Sequence, residues 1–227
     1  MGGRGSSSLA SKQGGFHENT HMENLALVEG YAYAEPTEDE EREIFRYTQG
    51  ETNWDIRVAQ ARYKEELEDT FKAGREEGWS DSDIKAAIES GDLPPYKTMM
   101  NHYGDVIEGY IARSPNYTGT VYRGIEQSGY DYGLLKGKKP GDSVSFNSLT
   151  SWTFAKDVAS KGFTHSVSSS GKPQRKVLLV TGAATKNNAL ISKYSANLEG
   201  EVLMSGNNQF RVRKIMDRGD AIYYYLD

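Results

Sequence analysis

The sequence predicts an α+β fold in which a helical lobe precedes a β-rich core and packs on it. Up to Pro115, apolar residues recur at intervals of three and four, as on one face of a helix. After Pro115 the chain consists of short runs rich in Val, Leu, Ile, Tyr and Thr, separated by glycine-bearing loops. Helices that come first and strands that come later indicate an α+β domain and not alternating βαβ units.

The length of 227 residues suits one domain preceded by a tail. Residues 1–36 are expected to form a flexible leader, because their start, MGGRGSSSLASKQGG, is rich in Gly and Ser and offers little to bury. Residues 37–227 are then the folded domain, divided into a helical lobe at 37–115 and a β core at 116–227.

Composition excludes several classes of function. The formal net charge of -5 argues against broad adhesion to nucleic acids or anionic membranes, although a local basic cleft for RNA stays possible. The chain has no cysteine, so disulfides, thiolate nucleophiles and Cys-based zinc sites are excluded. No apolar run reaches transmembrane length, and no secretory signal opens the chain. We therefore expect a cytoplasmic protein, acting in a host cytoplasm if it is phage-encoded or an exported effector.

Helix signals are clear in the first half of the chain. Six of the nine residues from 35 to 43 are acidic, which suits the start of a helix because the helix dipole favours negative charge there. Ser80 begins a short helix that Gly91 ends, and a further helix ends near Ser114. The residues that share a helical face are Ile56, Ala59, Tyr63 and Leu67 in one segment and Met99, Tyr103, Val106, Tyr110 and Ile111 in another.

Strand signals dominate the second half. One helix is expected to interrupt them, begun by Thr153 and carrying Ala155, Val158, Ala159 and Phe163 on one side. The predicted strands are residues 118–122, 176–181, 201–205, 209–215 and 221–226.

Two kinds of known motif, one for zinc and one for nucleotides, are matched only in part or in unsuitable surroundings. HENTH, residues 17–21, matches the zinc-protease pattern H-E-x-x-H, but it lies in the polar leader without apolar periodicity. The glycines and lysines around Gly137 lack the spacing and the Ser or Thr of a phosphate loop, and no G-x-G-x-x-G follows a strand. The sequence therefore predicts no metal site and no Rossmann-type nucleotide site.

Arg123 is a candidate ligand-binding residue, because it ends the β run TVYRG, residues 120–124. A guanidinium is planar, always charged and able to bind two phosphate oxygens at once. Gly124 next to it would let a ligand approach the backbone. Taken alone, an arginine at a strand end is more often a solvated surface residue.

Ser151 and a pair of glutamates are the other candidates. In LTSWT, residues 149–153, helix capping explains Thr153 but leaves Ser151 unexplained. In NLEGEVLM, residues 197–204, an extended chain projects Glu199 and Glu201 to one side, although two carboxylates on one face repel. A solvated turn entering a strand is the alternative interpretation of the glutamates.

Taken in this order, YRG, SWT followed by DVA, and EGEVLM resemble the Arg–Ser–Glu signature of the ADP-ribosyltransferase superfamily. The resemblance is closest to arginine-specific enzymes such as actin-modifying binary toxins and phage-encoded transferases, and it extends over residues 39–227. It departs from the family pattern at Trp152, where Thr is more usual. The choice of Ser151 over Ser148 depends on the spacing to Val158.

The resemblance implies a mainly antiparallel core of two sheets, NAD as a substrate and no metal. It makes Glu201 the catalytic carboxylate, which Ser151 orients. It also makes Arg123 the residue that holds the phosphates of NAD, with Tyr122 and Gly124 beside it in the cofactor site. Arg175 would add a second phosphate contact.

The resemblance makes Glu199 the residue that indicates the acceptor, because in this family a glutamate at this position is found in enzymes that modify arginine. The resemblance thus implies transfer of ADP-ribose to an arginine side chain of a target protein. Water or RNA as the acceptor, and a non-enzymatic nucleotide-binding module, are the alternatives. A metalloprotease acting through HENTH is a further one, and the oligomeric state stays open.

Overall fold

The computed structural model describes residues 29–50, 52–162, 174–196 and 200–227. Most of the predicted leader, with HENTH, lies outside the described residues, and so do Phe163 and Glu199. Near the start of the described chain, Tyr31 and Tyr33 pack against the hydrophobic core. The boundary at residue 36 stays a prediction.

Four helices form the N-terminal lobe of the described chain: α1 (Glu38–Thr48), α2 (Asn53–Glu76), α3 (Asp81–Ser90) and α4 (Met99–Arg113). A helix begins in the acidic stretch, as the charge pattern predicted, and Thr37 and Glu40 make a reciprocal capping box at the start of α1. Ser80 caps α3, and Gly91 ends it in a left-handed conformation with φ 83°. The lobe is therefore delimited by local signals that the sequence carries.

The β region of the described chain contains eight strands, one short α-helix, α5 (Tyr130–Leu135), and two short helical turns at Val158–Gly162 and Ala183–Thr185. The strands pair in the order β2-β7-β8-β4-β1-β3-β6-β5, and β4 with β8 is the parallel pair among the pairings described. The strands are β1 (Thr120–Ile125), β2 (Ser143–Ser145), β3 (Thr150–Thr153), β4 (Lys176–Gly182), β5 (Asn188–Leu190), β6 (Glu201–Met204), β7 (Gln209–Asp217) and β8 (Ala221–Leu226).

The expected two sheets are one eight-stranded sheet in the described chain, so this part of the fold prediction is wrong. The reason is the pairing of β1, which runs antiparallel to β4 along its whole length and also meets β3. The β1–β3 contact has a single residue pair, Tyr122 with Thr153, and this pair joins two groups of strands. The predicted α+β class and the mainly antiparallel character are confirmed.

The sheet buries a different apolar cluster on each face. In β6, Val202 and Met204 belong to the cluster formed with the longer strands, whereas Leu203 belongs to the cluster under the helices. Alternation of side chains along a strand produces this division. Ile44, Ile56 and Ile107 of the helical lobe are fully buried against the second face. The lobe is thereby fixed against β5 and β6.

The segment after β3 differs from the helix that the sequence predicted. Thr153 accepts a hydrogen bond from Ala155 N at 3.0 Å through Oγ1, as an N-terminal cap would. The following turn, Val158–Gly162, is a single π-helical turn. Whether the helix continues through Phe163 stays a prediction, since Phe163 lies outside the described residues.

Candidate active site

A cleft lies across the strands that carry the three sequence motifs. Its lining residues are Tyr122, Arg123, Gly124, Ser151, Trp152, Thr153 and Glu201. Strand register explains the arrangement, because Thr153 of β3 pairs with Tyr122 on one side and with Glu201 on the other. Three segments far apart in sequence therefore supply one continuous wall.

Arg123 is held in this wall by two contacts. Its Nη1 donates to the carbonyl oxygen of Ser151 at 2.6 Å, and its Nη2 donates to Asp131 Oδ2, also at 2.6 Å. Asp131 lies in the first turn of α5 and accepts from Arg57 Nη2 of α2 at 2.5 Å on its other oxygen. One carboxylate thus bridges two guanidinium groups, one from the sheet and one from the helical lobe.

The bridge is largely withdrawn from water. The side chains of Arg57 and Arg123 are each 13% exposed, and that of Asp131 is 8% exposed. Burial by itself would raise the pKa of Asp131, but the charges of Arg123 and Arg57 outweigh it and hold the pKa below its usual range. Burial likewise acts to lower the pKa of Arg57, and Asp131 reverses this effect. Asp131 and Arg57 are therefore charged at neutral pH.

Two donors of the arginine pair have no partner in the described chain. The buried Nε atoms of Arg57 and Arg123 make no hydrogen bond there. A buried donor without an acceptor is unfavourable by about 1–3 kcal/mol, so such atoms are uncommon in folded proteins. Arg123 lines the cleft, and its guanidinium suits an anionic ligand with several acceptor oxygens.

The helical lobe fixes the strand that carries Ser151. Tyr47 of α1 donates its hydroxyl to the carbonyl oxygen of Leu149 at 3.2 Å, and the Leu149 amide donates to Gln60 Oε1 of α2 at 2.9 Å. Burial raises the pKa of Tyr47, although the charges of Arg57 and Arg123 act against it, so the hydroxyl remains a donor. Ser151 lies two residues beyond this clamp and lines the cleft.

Glu201 begins β6 and is 8% exposed. Its Oε2 accepts from Ser195 Oγ at 2.9 Å. The resemblance assigned the orientation of Glu201 to the side chain of Ser151. The main-chain carbonyl of Ser151 accepts from Arg123. The role of Ser151 toward Glu201 stays a prediction, and Ser195 is a contact that the sequence did not reveal.

Gly200 sets the direction of the chain into Glu201. Its φ of 64° is left-handed, and a Cβ atom there would lie 2.6 Å from Phe154 Cζ. The Gly200 carbonyl accepts from the Phe154 amide at 3.2 Å. The glycine between the two motif glutamates is therefore required by backbone conformation and by close packing.

Arg175 lies apart from this cleft. Its two Nη atoms bind the carboxylate of Asp217 at 2.5 and 2.8 Å, and it is not among the cleft-lining residues. Of the predicted site residues, the structure brings Tyr122, Arg123, Gly124, Ser151 and Glu201 together. Glu199 lies outside the described residues.

Sequence reasoning missed Arg57 and Asp131. Arg57 lies in the predicted helical segment that contains Ile56 and Ala59, and its distance of 74 residues from Asp131 gave no sign of the contact. Asp131 lies in a six-residue helix that no periodic pattern announces. The available signal was Arg57 itself, a positively charged residue next to the apolar face of a predicted helix.

The described residues contain neither a metal-binding cluster nor a membrane-spanning helix. In residues 29–50, 52–162, 174–196 and 200–227, no group of three or more His, Asp or Glu side chains is placed to hold a metal ion. Across the same ranges, no helix combines the length and the apolar character needed to span a bilayer.

No family model and no curated protein matches the chain. Solved structures do. The ADP-ribosyltransferase Vis in complex with agmatine is similar with a TM-score of 0.60 at 18% identity, over 96% of this chain and 88% of that one. The Vis toxin of Vibrio splendidus is similar with a TM-score of 0.56 at 20% identity, over 97% and 82%.

Exoenzyme S from Pseudomonas aeruginosa, solved with human 14-3-3 protein beta and bound to carba-NAD, is similar with a TM-score of 0.52. It is 14% identical, and the match covers 97% of this chain and 86% of that one. At such identities these likenesses bear on the fold alone.

Proposed function

We propose that this chain, which has the fold of the mono-ADP-ribosyltransferases, transfers ADP-ribose from NAD to a macromolecular acceptor and releases nicotinamide. The observation that carries the proposal is the convergence of Arg123, Ser151 and Glu201 on one cleft. A guanidinium, a hydroxyl and a carboxylate are the groups that cleavage of NAD requires.

Glu201 is the proposed catalytic carboxylate. When the bond between ribose C1′ and the nicotinamide nitrogen breaks, nicotinamide leaves with the electron pair and positive charge develops on the ribose, as in glycoside hydrolysis. A largely buried carboxylate stabilises that charge more strongly than a solvated one. Ser195 holds one oxygen of Glu201, so the carboxylate meets the ribose in a fixed orientation.

Arg123 and Arg57 are the proposed ligands of the diphosphate. Arg123 lines the cleft and shares Asp131 with Arg57. The N–H groups that these contacts leave over are the proposed donors for phosphate oxygens. Gly124 leaves room for the ligand beside the backbone, and Tyr122 lines the same wall. We place Arg175 outside this site, because both of its Nη atoms bind the carboxylate of Asp217.

We propose an arginine side chain of a protein as the acceptor. One nitrogen of the guanidinium forms the new bond to ribose C1′ and loses a proton, which Glu199 accepts. Agmatine, the compound bound in the Vis structure, carries a guanidinium group, which supports an acceptor of this chemistry.

The test is to incubate the protein with NAD labelled in its adenylate portion and a cell lysate, then to measure released nicotinamide and labelled macromolecules. Treatment with protease or with ribonuclease identifies the acceptor as protein or RNA. We expect protease to remove the label, and free ADP-ribose alone would indicate water as the acceptor.

Two substitutions assign the roles of the glutamates. Glu201→Gln should abolish nicotinamide release, whereas Glu199→Gln should retain NAD hydrolysis and lose labelling of arginine. Glu89→Gln on the exposed face of α3 is the matched control and should behave as wild type. Labelling by Glu201→Gln at the wild-type level contradicts the proposed site.

A further inference from the structure

We propose that Asp131 is a positioning residue, which bridges Arg57 and Arg123 so that both guanidinium groups present their free edges to a diphosphate. The inference rests on the proposed function, since NAD supplies the diphosphate. Asp131 itself does not contact the ligand.

The geometry of the bridge supports this role. Each oxygen of Asp131 takes one guanidinium, Arg57 on Oδ1 and Arg123 on Oδ2. A guanidinium has five N–H donors. In the described chain, Arg123 uses its Nη1 and Nη2 for one bond each and Arg57 uses only Nη2, so most donors remain for a ligand.

Charge explains why a carboxylate is needed at this position. Two guanidinium groups withdrawn from water repel each other, and a shared anion between them removes that repulsion. With Asp131 in place the three groups sum to one positive charge, which still attracts a diphosphate. An arginine already fixed at one edge also loses little freedom when its other edge binds phosphate.

The origins of the three residues make Asp131 a link between parts of the fold. Arg57 comes from α2 of the helical lobe, Arg123 from the sheet and Asp131 from α5. Because Arg123 also donates to the Ser151 carbonyl, the bridge ties the position of Arg57 to the strand that lines the cleft. The bridge thereby holds a cation of the helical lobe next to the arginine that lines the cleft.

The experiment is a calorimetric titration of the full chain with ADP-ribose, which carries the diphosphate and requires no catalysis. Asp131→Asn should weaken ADP-ribose binding about tenfold, the loss expected for one charge-assisted hydrogen bond. Asp131→Glu should restore most of the affinity. Asp217→Asn, which removes the exposed partner of Arg175, is the matched control and should bind as wild type.

Kinetics of nicotinamide release separate positioning from a general loss of structure. Asp131→Asn should raise the KM for NAD about tenfold and change kcat less than about threefold, because Glu201 is untouched. Any of three outcomes would overturn the inference. Asp131→Asn could lose kcat and affinity for ADP-ribose to the same extent, Asp131→Glu could fail to restore the affinity, or Asp131→Asn could bind ADP-ribose more tightly than wild type.

The experiments distinguish a failure of the proposed function from a failure of the role proposed for Asp131. If the wild type binds ADP-ribose but releases no nicotinamide from NAD, the transfer proposal is wrong, while the ADP-ribose titrations still decide the role of Asp131. Wild-type protein that does not bind ADP-ribose would contradict both.

Discussion

The cleft and the β7–β8 hairpin contain the same two features in different surroundings. Each has an arginine paired with an aspartate, Arg123 with Asp131 in the cleft and Arg175 with Asp217 at the hairpin. Each also has a glycine with positive φ, Gly200 at 64° and Gly219 at 79°. The regions differ in burial, and burial decides what each feature contributes.

At the hairpin the ion pair is more exposed than in the cleft, with side-chain exposures of 33% for Arg175 and 66% for Asp217. Hydrogen bonds from Arg175 and from the Gly219 amide lower the pKa of Asp217 to about 2. A lowered pKa at a solvated pair brings little stability, because water and salt screen the charges. In the cleft the same pairing is shielded from water, so an unpaired member there is much more unfavourable.

The largest expected effect is on stability. Asp131→Ala should lower the free energy of unfolding by about 3 kcal/mol, because two partly buried guanidinium groups lose their shared anion. Asp217→Ala should produce a much smaller change. Urea unfolding followed by tryptophan fluorescence measures both, and equal changes would show that burial does not distinguish the two pairs.

The next effect concerns activity. Arg123→Lys should reduce kcat/KM for NAD about 100-fold, because an ammonium cannot maintain the contacts to Asp131 and Ser151 and also bind phosphate. Arg175→Lys should leave kcat/KM within about twofold of wild type. Initial rates of nicotinamide release provide the measurement. A large loss in Arg175→Lys would return that residue to the NAD site.

The smallest expected difference is in the stability of two glycine variants. Gly200→Ala should destabilise the fold by about 2 kcal/mol, since the left-handed backbone is strained by a Cβ atom and Phe154 has to move. Gly219→Ala should lose only about 1 kcal/mol, because a Cβ atom added there would meet no atom within 4 Å. Thermal unfolding of the two variants tests this order, and a larger loss for Gly219→Ala would contradict it.

Local signals gave most of the secondary structure. The capped helices and the strands at 176–182, 201–204 and 221–226 were predictable because periodicity and caps are written in neighbouring residues. The three-residue strands β2 and β5 were not predicted, since so short a run carries no periodic pattern. Their existence depends on the longer strands with which they pair.

The sequence by itself determined the α+β class and nominated the candidate site residues. Arg123, Ser151 and Glu201, which line one cleft, were predicted from motifs whose members lie next to each other in the chain. Tertiary structure alone decided that one sheet forms, that Asp131 lies between Arg57 and Arg123, and that Arg175 is paired elsewhere. The physical reason is that strand order and ion pairing depend on packing between distant segments, which local propensity does not encode.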